Sequence, residues 1–338
     1  MRPQRLSRYC NRLKRSPSNP KLSLFCLCTA LTTWVLIWAG GLVTSHEAGL
    51  AVPDWPTSMG YNMFLFPIDQ WVGGIFYEHT HRLLGSLVGL MTIILMVWIF
   101  VRDSRRWMRV LGFVALLAVI FQGILGGLRV TLLRDEIGIF HAGLAQLFFV
   151  FITFLAVMNS RFWRRYPNVP IGIKEHKRLN RLLVFTTGAI FLQLIIGATM
   201  RHEHAGLAVE EYPLILQGQL WPPLDEESIS ELNRSRMDIF TDEPITATHI
   251  VVHMTHRTWA VFVVCLILAC FNSLRRAYGR DRVFHKLGTF WVFLVCFQFS
   301  LGALTIWTGK SADVATAHVA FGALTLLTSS VLTLLSHR

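Results

Sequence analysis

Apolar residues dominate eight stretches of the chain, at roughly 23–43, 76–100, 110–130, 139–158, 182–200, 248–271, 287–308 and 316–335, with polar breaks between them. A helix needs about 18 or more such residues to cross the hydrocarbon of a bilayer. All eight stretches are long enough, those at 139–158 and 182–200 only just. The pattern predicts an all-α polytopic membrane protein with eight transmembrane helices.

The pattern also repeats. "HEAGLAV" (46–52) follows the first helix and "HEHAGLAV" (202–209) follows the fifth; "EHTHR" (78–82) opens the second and "HMTHR" (253–257) the sixth. "FQGILGGL" (121–128) and "FQFSLGAL" (297–304) close the third and seventh, and "HAGLAQL" (141–147) and "HVAFGAL" (318–324) open the fourth and eighth. Order is kept throughout. The chain thus divides into a basic tail (1–22), a four-helix unit (23–158), a basic linker (159–181) and a second four-helix unit (182–335). Each unit crosses an even number of times, which makes two tandem bundles and a parallel internal repeat. Gly40-Gly41, Gly126-Gly127, Gly197-Ala198 and Gly302-Ala303 lie near the outer ends of the odd helices. Such small residues permit close helix packing, and they also leave room for a flat ligand.

Composition agrees: 53% of the 338 residues are hydrophobic and 15% charged, against about 25% charged in soluble domains. The formal net charge of +12 resembles a nucleic-acid signature, but its placement argues against one. Lys and Arg number seven in 1–22, four in 102–109, seven in 159–181 and five in 272–286, all on one side if eight helices alternate. The other side has none between Thr44 and Glu78 and carries the acidic loop 201–247. This positive-inside bias puts both termini in the cytoplasm; membrane lipid surrounds the chain, and no nucleic-acid partner is implied. The acid-free start "MRPQRLSRYCNRLKRSPSNPK" fits a cytoplasmic tail or an organellar transit peptide. Cys10, Cys26, Cys28, Cys265, Cys270 and Cys296 all fall outside the outer loops, so no disulfide framework is expected.

Ionisable side chains inside membrane helices are costly and point to function. His81, His141, His256 and His318 stand at the outer ends of the four even helices, paired within each unit as His81 with His141 and His256 with His318. Facing histidines in a four-helix bundle suit axial ligation of haem iron. Zinc would call for further thiolates or carboxylates, and only Glu78 is near; interfacial hydrogen bonding is the remaining reading. Glu78 shares a helix face with His81, as His253 does with His256. One unit therefore offers a carboxylate beside its ligand and the other an imidazole, an asymmetry expected if one site is catalytic and the other transfers electrons. Glu78 either relays protons or stabilises charge at the reacting group, or pairs structurally with Arg82 or Arg257. Arg82, Arg257, Arg129 and Arg201 lie on the outer side, where guanidinium suits carboxylates such as haem propionates. His46, His79, His202, His204 and His253 are weaker candidates. Asp54 and Trp55, in "PDWP", form a loop feature without a repeat partner.

At these residues the chain resembles the haem A synthase family. The resemblance runs from about Gly40 to Leu335 and rests on "GGLVTSHEAGLAVPDWP", "EHTHR" as the family's ExxHR motif, "FQGILGGLRV", "HAGLAQ", "HRTWA" and "HVAFGALTLL". It implies oxidation of the C8 methyl of haem O to a formyl group, giving haem A. It further implies haem b held by His256 and His318, and substrate haem held by His81 and His141; on the guanidinium argument above, Arg257 joins the first of these sites and Arg82 and Arg129 the second. The four histidines would be the iron ligands and Glu78 the catalytic group. Implied partners are haem O synthase and cytochrome oxidase assembly proteins, and a homo-oligomer is compatible. The preferred location is a bacterial inner membrane, with the mitochondrial inner membrane as the alternative. Some members carry a cysteine pair in the first outer loop; this chain has none there, which removes any mechanism requiring those thiols. A two-haem cytochrome b in quinol-linked electron transfer, or a haem-handling module without redox turnover, are the competing readings of the same histidines.

Overall fold

The computed structural model describes residues 19–166, 172–213, 221–235, 244–279 and 281–337. Most of the basic tail, with Cys10, and the centre of the linker lie outside the described residues. Within them stand eight helices long and apolar enough to cross a membrane: α1 (Pro20–Ser45), α2 (Gly73–Arg102), α3 (Arg106–Leu132), α4 (Asp135–Asn159), α5 (Ile173–His202), α6 (Ala247–Tyr278), α7 (Arg282–Trp307) and α8 (Ala312–Ser336). The protein is all-helical and integral to a membrane.

The helices outrun the hydropathy stretches. Helix α5 begins at Ile173, so "IKEHKRLNR" is helical although polar, and α6 continues to Tyr278 through Arg275 and Arg276. A backbone in lipid must bond internally, and nothing obliges it to unwind on reaching water. A 30-residue helix such as α5 is about 45 Å long against about 30 Å of hydrocarbon. Local chemistry sets the ends. Pro20 stands at the first turn of α1, where its missing N–H costs nothing, and Asn19 accepts from the Leu22 amide at 3.1 Å. Asp281 accepts from the Val283 and Phe284 amides to start α7. The tight α2–α3 corner is pinned by Asp103 with Arg105, and Arg105 reaches Asn159 of α4.

In the first half of the chain α1 packs on α2 and α4, α2 on α3, and α3 on α4. In the second half α5 packs on α6 and α8, α6 on α7, and α7 on α8, in the same cyclic order. The two rings meet where α8 lies against α1 and α4, and α4 against α5. Helices α4 and α8 are accordingly the most enclosed of the eight. Across this seam Trp34 Nε1 donates to the Ala320 carbonyl at 2.9 Å and Ser45 shares a hydrogen bond with Thr316 at 3.0 Å. Arg201 of α5 donates to the Gly41 carbonyl and the Ser45 hydroxyl of α1.

The loop between α1 and α2 is ordered by 3-10 turns at Met63–Leu65 and Ile68–Gln70. In the acidic loop 201–247, residues Glu226–Ser235 form a short helix.

Candidate functional site

Each of the four even-helix histidines lies against a glycine of the preceding odd helix. A methyl group at Gly40 would stand 2.9 Å from Cε1 of His81, one at Gly197 3.0 Å from Cε1 of His256, one at Gly302 3.2 Å from Cε1 of His318, and one at Gly126 3.5 Å from Cε1 of His141. The paired small residues therefore have separate tasks. Gly40 clears His81, while Gly41 lets Thr316 of α8 approach; Gly126 clears His141, while Gly127 receives the indole of Trp55.

In the second ring the His256 and His318 ring centres are 6.3 Å apart and inclined by 68°. Two imidazoles ligating one iron from opposite sides, with metal–nitrogen bonds of about 2 Å and ring centres about 1 Å beyond, stand roughly 6 Å apart. His318 Nδ1 and Gln298 Oε1 are both buried without a hydrogen-bond partner, although Gln298 Nε2 already donates to the His318 carbonyl at 2.7 Å. A small rotation of that amide gives a metal-ligating imidazole the acceptor its second nitrogen needs. The donor set, the glycine cradles and the orphaned atoms fit a haem. In the first ring His81 and His141 are electrostatic neighbours. Among the described residues no three His, Cys, Asp or Glu side chains converge on one point.

In each unit the outer loop is strapped down by two side chains at matching positions. Glu78, 3% exposed, accepts from the Val52 amide at 2.7 Å through Oε2 and from Arg82 at 2.6 Å through Oε1. Arg82 also donates to the carbonyls of Val52, Asp54 and Thr57. In the second ring His253 takes the place of Glu78: Arg257 Nε donates to its Nε2 at 3.0 Å, and the Val209 amide lies 3.4 Å from its Nδ1. Arg257 further donates to the carbonyls of Val209 and Glu211. Val52 corresponds to Val209 and Asp54 to Glu211, which brings Trp55-Pro56 into register with Tyr212-Pro213, both joined by cis peptides. The "PDWP" feature thus has a counterpart, contrary to the sequence reading. Glu210 in place of Pro53 and Tyr212 in place of Trp55 hide it from inspection. Trp55 packs on α3 at Gly127, and Tyr212 packs on α7 against Phe299 and Trp307. Burial alone would raise the Asp54 carboxyl; the Thr57 side chain and the Gly60 and Met59 amides outweigh it and hold it below the usual carboxylate range.

His79 is fully buried under the first strap, hydrogen-bonded to Ser58 at 3.1 Å and walled by Phe66 and Trp71. His46 stacks on Tyr77. His202 is buried beside Gly138, near Arg129, whose guanidinium also covers Gly49. Arg129 and Arg201 influence each other electrostatically at the seam between the rings.

Residues 23–331 match the sequence model of the COX15-CtaA cytochrome oxidase assembly proteins. The chain belongs to this family. Among similar proteins is the Heme A synthase of Alkalihalophilus pseudofirmus, 26% identical over 321 residues that span 91% of this chain and 96% of the relative. The Heme A synthase of Shouchella clausii is 28% identical, spanning 83% of this chain and 85% of the relative. That of Halalkalibacterium halodurans is 27% identical, spanning 88% and 91%.

For this COX15-CtaA member, sequence reasoning named the histidines, Glu78 and the arginines but passed over three glutamines. Gln122, Gln193 and Gln298 precede Gly126, Gly197 and Gly302 by four residues, one turn of helix, and each touches the histidine opposite. The signal was available as Q-x-x-x-G in "FQGILGG", "LQLIIGA" and "FQFSLGA".

Proposed function

We propose that this chain is a haem A synthase, oxidising the C8 methyl of haem O to a formyl group. The observation that carries the proposal is the set of two histidine pairs, each imidazole seated on a glycine of the neighbouring helix, in a chain of this family. In this reading the chain is an internal duplication. The unit 23–158 holds the substrate haem O between His81 and His141, and the unit 182–335 holds haem b between His256 and His318. Haem b, when bound, supplies a site for one-electron transfer. Overall the methyl group and one water give the formyl group, four protons and four electrons, the electrons passing in single steps to an external electron acceptor, and the hydroxylated stages dehydrate to the aldehyde.

The chain's own residues position and shield. The 6.3 Å spacing of His256 and His318 suits a resident haem. The loops strapped through Arg82 and Arg257 carry Trp55, which packs on α3 at Gly127, and Tyr212, which packs on α7 against Phe299 and Trp307. With their Nη groups committed to loop carbonyls, Arg82 and Arg257 act on the haems through the straps. Arg129 and Arg201 bring positive charge to the seam, Arg201 while donating to the Gly41 carbonyl and the Ser45 hydroxyl, and in this reading that charge attracts the propionates. Glu78 is a buried carboxylate three residues before a ligand histidine, where His253 stands in the other unit. We assign it the proton-handling role at the substrate, exercised when Arg82 or the Val52 amide releases one of its oxygens. The histidine pairs lie at the outer face of a bacterial inner membrane, with both termini in the cytoplasm.

The test is co-expression of the chain with a haem O synthase, followed by haem extraction and chromatography. Haem A or a hydroxylated intermediate is expected, and Glu78→Gln is expected to leave haem O unconverted while both haems stay bound. Unchanged haem O beside bound haem b, with the native chain, would leave an electron-transfer protein instead.

A further inference from the structure

The outer loop of the first unit has two faces. Phe66 is buried on the inner one, between Tyr61 and His79. On the other, Phe64, Leu65, Ile68 and Val72 are 68%, 76%, 81% and 63% exposed. Only Asp69 is charged between Tyr61 and Phe76. This apolar patch runs directly into the lipid-facing stripe of α2. Val72 precedes Phe76 by four residues, and Phe76 is in helical register with the exposed Leu87, Leu90, Ile94, Val97 and Val101. Length sets the level. The 30 residues of α2 extend about 45 Å, and a bilayer with its headgroups is about 40–45 Å thick. With Arg102 in the far headgroup layer, Gly73 and Val72 stand in the near one, and the turn Ile68–Gln70 adjoins them. The backbone there is prepared for a place poor in water, where an unbonded amide is costly. The amides of Phe64, Leu65, Gln70, Trp71 and Val72 are bonded within the loop at 2.9–3.2 Å, and Pro67 has none to satisfy. The second unit does the reverse. Ile229 and Leu232 of its short helix pack inward with Val209, Ile250 and Met254, while Glu226 and Glu227 are exposed.

We propose that Phe64, Leu65, Ile68 and Val72 dip into the outer leaflet of the membrane, so that lipid holds from outside the loop that Arg82 and Glu78 strap from within. Apolar side chains at the boundary of headgroups and acyl chains bind in proportion to the area they bury there. Lipid is the occupant because the patch continues a surface that lipid already covers, at the depth where the headgroups lie. The first unit's loop is thus fastened to the protein on one face and to the bilayer on the other. The second unit's loop folds its apolar face onto its own helices instead. This placement is independent of what the histidines ligate.

The experiment uses full-length chain in phosphatidylcholine vesicles, diluted in lipid until copies rarely share a vesicle. One sample is photolabelled with an apolar diazirine dissolved in the bilayer, another with a charged diazirine in the water on both sides. Mass spectrometry locates the modified residues. The apolar reagent is expected to mark Phe64, Leu65 and Ile68 as heavily as Leu90, and the charged reagent to mark Glu226–Ser235. Marking of the three by the charged reagent would place them in water, and protection from both reagents would place a second copy or another protein over them. Either result overturns the inference. Phe64→Asp/Ile68→Asp is expected to move the label on residues 63–72 to the charged reagent. It is also expected to speed cutting of that loop by a broad-specificity protease severalfold, with cutting at 221–235 unchanged. Equal cutting of native and variant loops would show that lipid does not hold the loop. If the double variant fails to insert, the labelling of the native chain decides alone.

Discussion

A methyl group at Gly40 or Gly197 would meet the facing imidazole at 2.9 or 3.0 Å, whereas one at Gly126 would make ordinary contact at 3.5 Å. Alanine in a helix interior gains about 1 kcal/mol over glycine, while overpacking costs about 1–3 kcal/mol. Contact therefore decides the sign. Gly40→Ala and Gly197→Ala are expected to tilt His81 and His256 and to lose most of the haem absorbance of one unit each; Gly126→Ala is expected to keep most of it. Equal losses in all three would break the link between glycine and ligand. Glu78 offers a second comparison, because the chain already carries its replacement at His253. Glu78→His is expected to keep the strap, with protease resistance of loop 44–72 near that of the native chain, while haem A formation stops. Glu78→Leu leaves Arg82 buried without its counter-charge, and removing one partner of a buried pair costs about 3–5 kcal/mol, so the loop is expected to be cut readily. Residues of this kind were legible where the sequence duplicates them. The four histidines and the Glu78/His253 exchange stood in matching motifs. The bonding of both to Val52 and Val209 did not, because it joins positions 26 and 44 residues apart.

The helices were legible as lipid-crossing segments because hydropathy reports the solvent around a side chain. It says nothing of where the backbone stops, so the polar first turns of α5 went unread. Loops fared differently: composition does not say what fastens the loop 44–75, and only the folded chain shows it. Arg82 gathers three carbonyls from it, and Asp54 closes its turn by accepting from Met59 at 2.7 Å and Gly60 at 2.9 Å. The Asp54 carboxyl is held below its ordinary value. Its contribution is therefore present in full above an unfolded value of about 3.9 and is lost as pH falls through the lower folded one. Hydrogen exchange at residues 58–61 is expected to be constant from pH 7 down to about pH 5, once corrected for intrinsic rates, and to accelerate below about pH 4. Asp54→Asn is expected to exchange quickly at every pH. A native profile as flat below pH 4 as above it would remove the role given to this carboxyl.

Across the whole molecule the two rings share a wall. Helix α1 contacts α8 as well as its own ring, α4 contacts α5 and α8, and Arg201, Trp34 and Thr316 hydrogen-bond across the seam. Interhelical hydrogen bonds in membranes are each worth about 0.6–2 kcal/mol, so the seam is held by several modest bonds over a packed surface. Separate polypeptides 1–166 and 172–338, co-expressed, are expected to purify together through a tag on one of them. Adding Arg201→Ala with Thr316→Val is expected to weaken recovery severalfold. Independent migration of the unmodified halves would show that the seam does not hold by itself. The shared wall also bears on how the protein is made. Helix α1 is threaded into the membrane first, yet one of its faces is completed by α8, the last of the eight to leave the ribosome. At roughly 5–20 residues per second the delay is on the order of tens of seconds. Throughout it the first ring stands with an open flank, closed in the finished protein by the small side chains of Thr316, Ala320 and Ala323. A stop codon just before α8 would therefore damage the half of the molecule already built as well as the half left unfinished.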